Sequence, residues 1–289
     1  MKIAKRCVSC GCDRLERSPA ILMPFIACRV FGWEPIEIKP EWGFRDVPAG
    51  QACSICNSLL CHGCGMLFLD MRFDEAEMAA LYENYRGDDY TKLRARFELG
   101  YEARNALLLD GSGYMSAVEE FIEPHLKGAL RILDWGGDTG VNTPFRDKAR
   151  LHHIYDISNR PVLAGAKAIT LEEIGSSDYD LFVFSNVLEH VPAPRTSLAE
   201  IASMMQPETV LYVEVPHEDV VRLIAEPGER LKHKKHWHEH INFFTPESLD
   251  SLFQSVGLRT IERMSHPVSA GGKDSHVFSI IAKRALAAR

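Results

Sequence analysis

No stretch of this 289-residue chain approaches the roughly twenty consecutive apolar residues that a membrane span requires. The N-terminus, Met1-Lys2-Ile3-Ala4-Lys5-Arg6-Cys7, lacks the apolar core of a secretory signal. Excess positive charge is missing too: the formal net charge is −7, which argues against a nonspecific grip on nucleic-acid phosphates. Neither an internal repeat nor a low-complexity tract is present, and no cysteine occurs after position 64. These absences lead us to expect a cytoplasmic protein with no nucleic-acid partner and no membrane span. Its length is enough for more than one folding unit around a sizeable core.

What the second half lacks, the first 64 residues hold in excess. All eight cysteines lie there, six of them as C-x-x-C pairs: Cys7/Cys10, Cys53/Cys56 and Cys61/Cys64. Without an export signal, such crowding points to metal thiolates and away from disulfides. Two such pairs supply a tetrahedron of sulfur, the geometry of a closed structural Zn²⁺ site. Cys7, Cys10, Cys61 and Cys64 are the preferred set, because Cys10 and Cys64 are each followed by glycine, which suits the tight turn of a zinc knuckle. Two other arrangements stay open: Cys53 and Cys56 replace either pair, or they form a second site with Cys12 and Cys28.

From position 130 onward, strand and helix patterns alternate. Strands are expected at 130–134, 153–156, 166–170, 181–185, 209–215, 258–264 and 277–283, the last as an antiparallel edge hairpin with 258–264. The alternation implies an α/β fold with a mostly parallel sheet and helices on both faces. Before it, a helix starts at Asp74 and a second amphipathic stretch covers 94–109. Tyr82, Tyr85, Tyr90 and Tyr101 either line a cleft or pack between helices and sheet. We expect a division into 1–72, a cysteine module; 73–126, a helical linker or lid; and 127–289, the α/β domain.

The first strand runs into a glycine-rich turn, Leu133-Asp134-Trp135-Gly136-Gly137-Asp138-Thr139-Gly140. The second ends in Asp156, where nucleotide-binding α/β folds place an acid against ribose hydroxyls. The turn is not the dinucleotide form G-x-G-x-x-G. It resembles motif I of class I S-adenosylmethionine-dependent methyltransferases, D-x-G-x-G-x-G, with Asp134, Gly136 and Gly140 in matching places. Asp138 stands where that family usually has glycine, so either the loop is shaped differently there or the carboxylate meets the cofactor's amino group. The resemblance implies a Rossmann-like methyltransferase sheet that binds S-adenosylmethionine through Asp134, Gly136, Gly137, Asp138, Gly140, Asp156 and Asn186.

Further motifs extend it. The cysteine module, Asn186-Val187-Leu188-Glu189-His190-Val191-Pro192, His238-Glu239-His240 and Gly271-Gly272 resemble sugar methyltransferases with an N-terminal zinc-binding domain, in particular deoxysugar C-methyltransferases. Their active-site residues fall on His190, Trp237, Glu239 and His240. Trp237 stands in place of a tyrosine, and Gly271-Gly272-Lys273 in place of G-G-S. The chain ends before the second α/β domain of those enzymes, so a relative that methylates a sugar hydroxyl of a glycan, glycolipid or sugar nucleotide is expected. On this reading His240 is the base, Glu239 its orienter or a sugar-hydroxyl acceptor, and His190 a second acid/base or an acceptor-binding group; Trp237 and His238 meet the acceptor. The alternatives are a sugar C-methyltransferase, a zinc-bearing scaffold with a degenerate methyltransferase domain, RNA or protein methylation, and a catalytic metal on the histidines at 233, 236, 238 and 240 with Glu189 or Glu239.

Overall fold

Three strands of the α/β half are buried along almost their whole length, as parallel strands covered on both faces must be. They are β1 (Leu130–Trp135), β4 (Leu181–Ser185) and β5 (Val210–Pro216). With β2 (Ala149–Tyr155), β3 (Lys167–Ala168), β6 (Leu258–Ala270) and β7 (Lys273–Arg284) they form a seven-stranded sheet in the order β3-β2-β1-β4-β5-β7-β6. The first five strands are mutually parallel, with Leu133 beside both His153 and Phe182. β7 is antiparallel to both β5 and β6. The expected terminal hairpin is thus present, with β7 inside and β6 at the edge. Its arms are longer than expected because they pair as far as Ala270 and Lys273. The computed structural model describes residues 1–39, 50–109, 113–175, 178–270 and 273–285, so the Gly271-Gly272 pair lies outside the described residues.

Helices cover both faces. Pro194–Met204 and Pro246–Ser255 bury Leu198, Ile201, Leu249, Leu252 and Phe253 against Phe182, Phe184 and Leu211 on one side. Met115–Ile122 brings Val118 and Ile122 against Ile132, Val183 and Tyr212 on the other. The fold is the Rossmann-like α/β arrangement that the alternation implied.

Asp74 starts the helix Glu75–Tyr82 through a reciprocal capping box with Glu77. The stretch 94–109 is not one helix. It is interrupted at 96–100, between the helices Asp88–Ala95 and Tyr101–Leu109, and Gly100 at φ +83° closes that interruption just before the second helix starts.

The cysteine half forms its own sheet from Leu15–Leu22, Ile55–Cys61 and Leu67–Leu69. Both edges of that sheet come from far along the chain. His236–Trp237 pairs parallel with Ile21 and Leu22, and Asn242–Phe243 pairs antiparallel with Leu67 and Phe68. The His-Glu-His segment is therefore strung between two sheet edges. One face of the sheet shares a core with the α/β domain, where Leu59, Met66 and Phe68 meet Leu188, Phe244 and Leu249. The other packs Leu60, Leu67 and Trp237 against Phe25, Leu81, Tyr90 and Tyr101.

Candidate active site

The two knuckles of the preferred cysteine set meet at one end of the N-terminal sheet, where Leu15 pairs with Cys61. Sγ atoms of Cys7 and Cys64 lie 3.6 Å apart, as do those of Cys10 and Cys61. All four fall within 4.8 Å of one another. A tetrahedron with metal–sulfur bonds of about 2.3 Å has sulfur–sulfur edges of about 3.8 Å, so the donor set fits Zn²⁺. Cys56 is instead buried in the separate core with Leu60 and Trp237, and Cys28 reaches Glu34.

The glycine-rich turn lies at the carboxyl end of β1. Gly136 has φ +81°, and a Cβ there would come within 2.4 Å of Val187; Gly140 has φ +83°, with Ile154 equally close. Packing against Val187 and Ile154 excludes side chains at these two positions and leaves the backbone bare. Asp138, in the place of a glycine, still adopts the left-handed conformation at φ +52°, which aspartate tolerates better than most residues. Its carboxylate is engaged by Arg160 at 2.8 and 2.9 Å. Asp134 is buried under the loop, takes a hydrogen bond from Thr143 at 2.5 Å, and burial pushes its pKa up to about 7.

Asp156 follows the end of β2. Its two oxygens accept the amide N–H of Asp138 at 2.9 Å and of Ser158 at 2.7 Å. Each oxygen keeps a lone pair, enough for a ribose diol. A cleft of about 340 Å³ lined by Tyr85, Asp88, Ser158 and Arg160 reaches the partners of Asp156 and Asp138, not the two carboxylates themselves. Asn186, past the end of β4, turns through φ +54° and donates to Glu214 at 2.8 Å. Bare backbone at the turn and a carboxylate with free lone pairs fit an adenosyl cofactor.

The histidines gather past the ends of β4 and β5. His190 and His240 stack edge to face, with ring centres 4.7 Å apart. Nδ1 of His240 lies 2.7 Å from Glu218 Oε1. Nδ1 of His190 lies 3.1 Å from the carbonyl oxygen of Glu239 and 2.9 Å from the Tyr82 hydroxyl. A carbonyl can only accept, so Nδ1 of His190 carries the proton in this arrangement. Burial and the neighbouring His240 lower the His190 pKa to about 3. Burial opposes charge on His240 as well, but its hydrogen bond to Glu218 and the charges of Glu218, Glu189 and Glu239 outweigh that and raise its pKa. Glu189 is 1% exposed, neither carboxylate oxygen has a hydrogen-bond partner among the described residues, and burial pushes its pKa up to about 8.

Three of the expected roles change in this geometry. The Glu239 carboxylate does not face His240; it accepts from the Tyr90 hydroxyl and from Arg94 at 2.8 Å. The residue that orients His240 is Glu218. Trp237 is fully buried, donates its indole N–H to Ser58 at 2.8 Å and packs on Phe243, so it offers no surface to an acceptor. Nε2 of His238 lies 2.6 Å from Glu98, and its ring stacks on Phe25. The tyrosines divide between the two places considered for them: Tyr85 lines the cleft, while Tyr82, Tyr90 and Tyr101 are buried, the first two with their hydroxyls against His190 and Glu239. Sequence reasoning missed Glu218, which stands two residues beyond β5 where ligands of open α/β sheets bind, a position that could have flagged it. Arg94 carried no such signal.

A family model described as a methyltransferase domain matches residues 102–263. Among solved structures, the chain is similar to the 1,6-didemethyltoxoflavin-N1-methyltransferase of Burkholderia thailandensis, bound to 1,6-didemethyltoxoflavin and S-adenosylhomocysteine. The TM-score is 0.50 at 17% identity, over 80% of this chain and 96% of that one. It is also similar to a SAM-dependent methyltransferase from Anabaena variabilis, with TM-score 0.44 and 13% identity over 63% of this chain and 92% of that one. A comparison with curated proteins returned no match.

Proposed function

Because the chain belongs to the methyltransferase-domain family and is an S-adenosylmethionine-dependent methyltransferase, we propose that it methylates a sugar hydroxyl of a glycan, glycolipid or sugar nucleotide. The observation that carries this reading is the meeting of His190, His240 and Glu218 past the carboxyl ends of β4 and β5, the end of the sheet that also carries the cofactor turn after β1. Methyl transfer from a sulfonium is an in-line displacement, and a hydroxyl must give up its proton as it attacks. In the residues alone, His240 is the base, held by Glu218, while His190 stays neutral and positions the acceptor. The sugar class rests on the resemblance of the His-Glu-His segment and cysteine module to sugar methyltransferases. Asp134, Gly136, Gly137, Asp138, Gly140, Asp156 and Asn186 form the cofactor side. Cys7, Cys10, Cys61 and Cys64 hold a structural Zn²⁺, within the three-part division into 1–72, 73–126 and 127–289.

The test is His240→Ala, assayed by mass spectrometry on a panel of sugar acceptors, with cofactor affinity measured by calorimetry. Loss of a general base lowers turnover by about 10²–10⁴-fold. Cofactor affinity should be nearly kept. Near wild-type turnover in a folded His240→Ala protein would refute the assignment.

A further inference from the structure

We propose that Glu189, His190 and His240 form a second metal site, distinct from the cysteine cluster, which takes a divalent transition-metal ion and presents it to an oxygen of the acceptor. One ligand atom from each of the three lies within 4.8 Å of the other two. The Glu189 carboxylate is buried with both oxygens unpartnered, an arrangement that costs stability unless something fills it. One of those oxygens is 3.7 Å from Nε2 of His190.

The surroundings of the rings match what metal-bound imidazoles need. A ligating histidine usually donates its other N–H to a carboxylate or a backbone carbonyl, which fixes the tautomer and the ring's aim. His240 Nδ1 has the Glu218 carboxylate at 2.7 Å and His190 Nδ1 has the Glu239 carbonyl at 3.1 Å. In both rings this leaves Nε2 as the free lone pair. Two imidazole nitrogens and one carboxylate form the two-histidine, one-carboxylate donor set, which suits Fe²⁺, Co²⁺, Mn²⁺ or Zn²⁺ and leaves coordination positions open. The cysteine site differs: four thiolates close it.

The role at the acceptor rests on the sugar-hydroxyl reading above. With the cation bound, His240 serves as ligand in place of base. The acceptor hydroxyl ionises on the metal and its proton passes to solvent. Its oxygen then forms the new C–O bond as the C–S bond of the sulfonium breaks, and that electron pair returns to sulfur.

Protein carrying one equivalent of zinc, held by the four thiolates, titrated with Co²⁺ and followed by calorimetry and visible absorption, tests the site directly. We expect one further equivalent of Co²⁺ per chain, with d–d bands and no thiolate-to-cobalt charge transfer. Glu189→Gln and His240→Asn should each weaken binding at least 10-fold, and Glu218→Gln by about 10–100-fold. With the cysteine zinc kept and no Co²⁺ added, Glu189→Gln should melt no lower than wild type, which separates loss of a ligand from loss of the fold. The absence of Co²⁺ binding, or binding indifferent to both ligand substitutions, would overturn the metal site. Co²⁺ binding with turnover equal in its absence overturns only the ionising role. A loaded site with no sugar acceptor methylated overturns the sugar reading and leaves the metal site standing.

Discussion

Arg94→Met is the sharpest probe of how the His-Glu-His segment is held. The Arg94 and Glu239 side chains are 9% and 8% exposed. The guanidinium donates to Glu239 at 2.8 Å, to the Tyr90 hydroxyl at 3.1 Å and to Glu98 at 2.9 Å, and lies 4.2 Å from the centre of the Tyr101 ring. Methionine keeps much of the apolar stem and removes the charge, so Glu239 is left buried with Tyr90 and a histidine nitrogen 3.6 Å away. Breaking a buried pair on one side costs about 3–5 kcal/mol. At about 2–4 °C per kcal/mol, the thermal midpoint should fall by about 6–20 °C. Replacing both partners removes the orphaned charge, so Arg94→Met/Glu239→Gln should recover at least half of the loss, a coupling that a double-mutant cycle measures. Because the Glu239 carbonyl accepts from His190, turnover should drop in the single variant even below its melting range. Strictly additive losses, or a midpoint shift under about 2 °C, would refute the view that this pair anchors the site.

Asp156→Ala should weaken cofactor binding measured by calorimetry, since charge-assisted bonds to ribose hydroxyls contribute about 1.5–3 kcal/mol each; an unchanged dissociation constant would place the ribose elsewhere. Burial raises the Asp134 pKa from 3.8 to about 7. Its neutral form is therefore favoured in the fold, and the stability this contributes is present below about pH 4 and lost as pH rises to about 7, amounting to about 4 kcal/mol at most. Asp134→Asn should flatten that part of the stability profile in urea titrations, and an identical slope would count against it. Protein purified without chelator should carry about one equivalent of zinc by metal analysis; Cys64→Ser should drop below half of that and melt lower, because closed thiolate sites contribute to folding outright.

Local sequence was enough to place much of this molecule. Alternating apolar runs identified the sheet because parallel strands buried on both faces need them, and β1, β4 and β5 are such strands. Glycines at 136 and 140 marked the turn because backbone at positive φ above Val187 and Ile154 admits nothing larger. Paired C-x-x-C spacing brought Cys7, Cys10, Cys61 and Cys64 to one point through local turns, needing only that two knuckles meet. Each signal is short-range or periodic, so it survives without knowledge of the remainder of the fold.

The His-Glu-His segment carries no such period. Its residues run between two edges of a sheet built from the first 70 positions, and pairing with Leu22 at one end and Phe68 at the other sets which side chain faces which way. That tertiary constraint turns Trp237 into the core and hands Glu239 to Arg94. It leaves His240 to Glu218, from the loop after β5, and brings His190 and the unpartnered Glu189 beside it. Side-chain direction in an irregular segment depends on what the segment is tied to, and here the ties lie more than 170 residues away in the chain, beyond the reach of any local pattern.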